Sequence, residues 1–136
     1  VIGMENEEIK ENENIPNDQD SILLSIKKLL GISKECTDFD TDIIIHINTT
    51  LMNLDQLGIE ISKSFSVKDN KQTWSEIITE QERIDSIITY VYLKVKLVFD
   101  PPLSSAVMEA NKQSINELEW RLTVQVDENK LNKEGV

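Results

Sequence analysis

Between Gln81 and Trp120 apolar residues recur at steps of three and four, through Ile84, Ile87, Ile88, Val91, Val95 and Val98. That is the period of a helix with a wide buried stripe. Tyr90, Tyr92, Leu93, Leu97 and Phe99 widen the stripe until little of the circumference is polar, so the helix needs cover on several sides. It has to stop near Phe99, because Pro101 and Pro102 lack the amide proton and the first of them pushes Asp100 to an extended backbone. A last helix is predicted from about Ser104 to Leu122, with Asp100 as a candidate cap and Val107, Met108, Ile115, Leu118 and Leu122 as its apolar set. Thr123 to Val126 fits either a continuing helix or an extended run. Asp127 to Val136 is polar and is expected to fray.

Upstream, Ile22, Leu23, Ile26, Leu29 and Leu30 predict a helix over about Ser21 to Leu30, capped by Asp20 or Ser21. Gly31 then suits the left-handed C′ position, with Ile32 folding back on the last turn. A second helix is predicted from near Asp38 to near Leu57. Thr37 with Asp40 resembles a capping box at its head, and Ile43, Ile44, Ile47, Leu51, Leu54 and Leu57 line one side. Gly58-Ile59 repeats the Gly31-Ile32 stop. Between Gly58 and Lys71 the helical period disappears: Ile61, Phe65 and Val67 alternate with polar residues, and Asp69-Asn70 reads as a turn. This loop or extended segment either packs onto its own core or pairs with its copy in a neighbouring subunit. Thr73 with Glu76 has capping-box spacing for a short helix to about Thr79, and Thr79 with Glu82 repeats it before the long helix.

The pattern describes an all-α chain: a small bundle of four to five helices with a central long helix, a Pro-Pro turn, a C-terminal helix and one loop or extended segment. At 136 residues it suits one core. The division expected is a flexible acidic tail over 1–19, a helical domain over 20–127 and a flexible tail over 128–136. Val1 to Asp20 holds seven acids against one lysine, which takes more than half of the formal charge of −11. Such a segment lacks the apolar surface to offset the entropy of ordering. It reads either as a solvated leader or as an arm that orders on a partner. The overall acidity and the presence of only two arginines, Arg83 and Arg121, argue against a grip on nucleic acid through a basic surface. Val1 to Met4 run straight into acidic residues, unlike a secretory signal, and no apolar run approaches the roughly 18 residues of a membrane span.

Catalytic chemistry is hard to place on this sequence. His46 is the single histidine and shares a helix face with Asp42, Thr49 and Asn53, without further ligands for a metal. Cys36, the single cysteine, excludes an internal disulfide and has no basic neighbour in sequence to activate it. There is no glycine-rich phosphate loop, and Glu5 to Glu13 lack the register of a calcium loop. No catalytic, metal or cofactor residue is assigned, and an enzyme is not expected. Aromatic and arginine side chains are enriched at binding hot spots. The interface candidates are therefore Phe65, Trp74, Tyr90, Tyr92, Phe99, Pro101, Pro102, Trp120 and Arg121. Each also suits a core position. Summed, they suggest more apolar surface than so small a domain can cover alone.

One resemblance bears on function. The run from Tyr90 to Pro102 (Tyr-Val-Tyr-Leu-Lys-Val-Lys-Leu-Val-Phe-Asp-Pro-Pro), followed by Ser104-Ser105-Ala106-Val107 and Glu117-Leu118-Glu119-Trp120-Arg121-Leu122, resembles the head–tail connector proteins of tailed bacteriophages and prophages of Gram-positive bacteria. Ser21 to Ile32, and Phe39 to Gly58, are similar to that family's two opening helices. The likeness spans about Asp20 to Asp127, and the Phe99-Asp100-Pro101-Pro102 step is its most specific part. It implies a virion protein of the neck, an adaptor that assembles as a homo-oligomeric ring, commonly a dodecamer, beneath the portal protein. The ring would extend the channel used in DNA packaging, pass DNA without binding it specifically, and dock a downstream neck or tail-completion protein. Assembly would take place in the host cytoplasm, with no membrane and no cofactor involved. The acidic tail departs from the shorter starts associated with this family.

Two other readings remain at this stage. An acidic DNA mimic that inhibits a host DNA-binding protein would carry carboxylates at regular spacing over one rigid face. A helical regulatory or scaffolding module would form a dimer.

Overall fold

A computed structural model of the chain describes residues 17–61, 65–78 and 83–134. The segment before Asn17 and the predicted Thr79–Glu82 capping box lie outside them. Five helices follow one another: α1 (Ile22–Leu30), α2 (Asp40–Gln56), α3 (Trp74–Ile77), α4 (Ile84–Phe99) and α5 (Ser105–Glu134). No strand occurs among the described residues; a lone bridge joins Ser21 to Thr73. The expected all-α bundle is what forms. α4 is its centre, packed on by α1, α2 and α5, and Ile87, Tyr90, Val91 and Val95 are its buried residues. They meet Ile22, Leu23 and Ile26 of α1, Ile43, Ile47, Leu51 and Leu54 of α2, and Ile115 and Leu122 of α5 in one core. Val98, at the end of the α4 stripe, and Leu29 of the α1 set remain exposed.

The glycine stops form as the residues dictate. Gly31 (φ 79°) and Gly58 (φ 99°) are the positive-φ residues among those described. The Ile32 amide donates to Lys27 O and the Ile59 amide to Leu54 O, the six-to-one bond that seals a helix end. Ser21 caps α1, its Oγ accepting from the Leu24 amide at 3.3 Å.

The caps that depend on distant residues differ from the local expectation. No side chain caps α2; Phe39 holds that position, and the Thr37–Asp40 box does not form. Asp40 turns instead to Lys27, Oδ1 to Nζ 2.8 Å. Lys27 is only 1% exposed; it meets Asp40 as an ion pair and donates hydrogen bonds to the carbonyls of Cys36 (2.7 Å) and Lys34 (3.3 Å). One buried ammonium with three donors thus ties α1, the 33–39 turn and the head of α2 together. Thr73 likewise caps nothing. Asp20 replaces it, Oδ1 accepting from the Ser75 hydroxyl (2.9 Å) and amide (3.3 Å). The Trp74 amide donates to Asp20 O, and the Ile22 amide to Gln72 O.

The described parts of the Gly58–Lys71 segment, 58–61 and 65–71, pack onto the chain's own core. Val67 is buried, Phe65 packs against the core, and the Asn48 amide both donates to Val67 O (3.0 Å) and accepts from its amide (2.8 Å). α5 is the largest departure. Its head is capped by Ser104, Oγ accepting from the Val107 amide, not by Asp100, and it runs past Leu122 to Glu134. No glycine or proline occurs between Pro102 and Gly135, so nothing local stops it.

Candidate assembly surface

The packing gives the molecule a direction. Phe39 at the head of α2 meets Phe99 at the end of α4 edge to face, centroids 5.6 Å apart. Gly58, just past α2, approaches Val126 of α5. α2 and α5 therefore both start at the Pro-Pro end and run the same way, each packed on an antiparallel α4. The Tyr90 hydroxyl, donating to Glu119 Oε1 at 2.9 Å, joins α4 to the middle of α5.

Against this frame the nine interface candidates separate. Trp74 and Tyr90 are wholly buried, with the Trp74 Nε1–H donating to Ser25 Oγ at 2.8 Å. These two side chains are used inside the protomer, where Trp74 fastens α3 to α1 and Tyr90 fastens α4 to α5. The Tyr90 phenol is pushed well above the ordinary tyrosine range, first by burial and then by the Glu119 carboxylate it faces. Lys94 lies over its ring, 5.9 Å from the centroid. Phe65, Tyr92 and Phe99 are half-buried and pack against the core, and Pro102 is half-buried at the turn. Pro101, Trp120 and Arg121 are exposed, Trp120 by 68%.

Exposed apolar residues outside that set fall in two places. At the Pro-Pro end, Phe39, Val98, Leu103 and Val107 are all exposed. On the helix flanks, Ile45 and Met52 stand on α2, and Leu131 joins Trp120 on α5. The signal for Ile45 and Met52 was present in the sequence: both fall opposite Ile43, Ile47 and Leu54 on a helical wheel, off the apolar face. Leu131 gave no such signal, because the helix beneath it was not expected.

The remaining chemistry stays sparse. Cys36 is half-buried and its carbonyl, not its thiol, is engaged by Lys27. Ser33 donates to the exposed Glu35 carboxylate and holds it below the usual range. His46 is half-buried on α2. Among the described residues no group of three or more His, Cys, Asp or Glu is placed to hold a metal, and no helix is long and apolar enough to cross a membrane. The shallow cleft at the end of α1, between Leu24, Lys28, Ile32 and Lys34, is wide open.

No curated protein and no solved structure matches the chain. The sequence profile of a family described as phage connector protein matches residues 22–129, from the first residue of α1 to deep in α5. The match takes in the whole of the packed core, so the chain belongs to the phage connector protein family, with the structural part in joining head to tail that this membership carries.

Proposed function

We propose that the protein is the subunit of a homo-oligomeric ring, of about twelve copies as the family resemblance implies, seated in the virion neck between the portal protein and a neck or tail-completion protein. The observation that carries this reading is apolar surface left over on a finished core. Trp120 and Met52 stand 68% and 65% exposed on helix flanks, while Leu51 and Leu54 of α2 and Ile115 and Leu122 of α5 are buried in the core. A monomer gains nothing from such residues, whereas a subunit with two different sticky flanks joins its neighbours head to tail and closes by rotation.

The two ends then serve different partners. The Gly58 turn and Val126 of α5 come together at one end, which suits a portal contact made by a chain end or by the Gly58–Lys71 segment. The exposed Phe39, Val98, Leu103 and Val107 mark the other end for a tail-side protein. The net charge of −11 suits a channel wall past which DNA slides without sticking. Acids are expected to outnumber bases on the surface facing that channel. A DNA mimic fits less well, since large apolar side chains interrupt the outer faces of α2 and α5 where it would need carboxylates.

Electron microscopy of intact virions labelled on this chain tests the reading. Density at the neck in a closed ring supports it; density elsewhere in the particle refutes it. Native mass spectrometry of the chain with its portal protein gives the copy number.

A further inference from the structure

Resting on the ring reading, we infer which surfaces meet: the outer stripe of α2 in one copy packs against the outer stripe of α5 in the next, parallel and level, with Met52 on Trp120. Electrostatics narrows the choice first. In a chain of charge −11, like-charge repulsion between copies is smallest where at least one of the two meeting stripes keeps carboxylates off its centre line. The outer stripe of α5 carries Glu117 near Trp120. The outer stripe of α2, namely Thr41, Ile45, Thr49, Met52 and Gln56, is exposed and carries no charge itself, while the exposed Asp42 and Asp55 stand along its two margins. Charge depletion of this kind marks the centre of an interface.

Symmetry then sets the direction. A twelvefold rotation turns any helix by at most about 30°. Because α2 and α5 already run the same way within a protomer, the neighbour's α5 reaches α2 close to parallel. That angle is compatible with ordinary helix packing. The Gly58–Val126 contact sets the level, given helices that stand along the ring axis. Met52 stands six residues before Gly58, and Trp120 six before Val126, so an unshifted neighbour brings these two opposite each other. The spacing carries the match further. Ile45, Thr49, Met52 and Gln56 repeat at intervals of four, three and four, and so do Gln113, Glu117, Trp120 and Val124. A thioether against an indole is a favourable contact in its own right. Since the two stripes are different surfaces of the chain, the contact is heterologous and propagates around a ring.

Cysteine pairing tests the contact while leaving Met52 and Trp120 in place. In a Cys36→Ser background, Thr49→Cys with Glu117→Cys is oxidised in assembled particles or with the portal protein present. A ladder of covalent multimers, absent from either single cysteine variant, is expected. A ring seen by native mass spectrometry or microscopy without a ladder overturns this interface and leaves the ring reading standing. No oligomer with or without portal overturns both. As a second measurement, Trp120→Ala and Met52→Ala are each expected to weaken assembly by about tenfold or more without lowering the melting temperature of the monomer. Unchanged assembly in both variants also overturns the proposal.

Discussion

At the scale of single residues, the least expected feature is a lysine inside the core. Lys27 occupies a position that the sequence presents as polar, yet its ammonium is enclosed by Asp40 and two carbonyls. Lys27→Met keeps much of the volume and leaves the Asp40 carboxylate and both acceptors without their donor. Breaking a buried pair from one side costs about 3 kcal/mol or more, read as a lower urea midpoint, and adding Asp40→Leu is expected to recover part of it. Tyr90 gives a second prediction, one that depends on pH. Its phenol is raised by burial and by Glu119, so the folded chain favours the protonated form. The stability this contributes is complete below the unfolded tyrosine pKa of about 10 and falls as pH climbs beyond it. Tyr90→Phe is expected to cost about 1–2 kcal/mol at neutral pH through the lost bond to a carboxylate. It also flattens the decline in urea midpoint between about pH 10 and 11.

At the scale of elements, the helix stops show what a sequence can and cannot say. Gly31 and Gly58 read alike as left-handed C′ positions, and both are. Their surroundings differ. A Cβ on Gly31 meets open space, whereas one on Gly58 comes within 3.0 Å of Val126 Cγ1. Gly31→Ala is expected to cost only the left-handed backbone penalty, about 1–2 kcal/mol. Gly58→Ala is expected to cost visibly more, and Val126→Ala in the same chain should recover the excess alone. Thermal denaturation of the three variants checks this ordering. The same division explains the capping boxes. Ser21 caps its own helix while its hydroxyl also donates to Asn70 O at 2.7 Å, since one hydroxyl can accept and donate at once; Asp40 is drawn away to Lys27, and Thr73 is displaced by Asp20. Asp20 reaches Ser75 across 55 residues, which no local motif records. The length of α5 was hidden for another reason. Beyond Val126 none of its described side chains joins the core, so periodicity had little to mark, and the absence of a breaker allowed the helix to continue. Among the interface candidates, spacing placed Trp74, Tyr90 and Trp120 on equal terms; burial by distant elements separates the first two from the third.

At the scale of the whole molecule, that overhang divides two tasks. The flanks of α2 and α5 lie over the core and are held by it, whereas residues 127–134 extend about 12 Å past Val126, with Leu131 exposed. If the flanks close the ring and the overhang reaches the portal, the two functions separate in one experiment. Ending the chain after Val126 removes no core contact of the described side chains, so the monomer is expected to keep its stability to within about 0.5 kcal/mol. The stripe from Gln113 to Val124 survives intact, so subunits keep the surface with which they join one another. Binding to the portal protein, measured by co-sedimentation, is expected to be lost. Full portal binding by the shortened chain would assign that contact to the Gly58–Lys71 segment at the same end of the molecule. Loss of folding would show instead that the last turns of α5 support the core through contacts made before Val126, for which a partly shortened chain ending at Asn132 is the control.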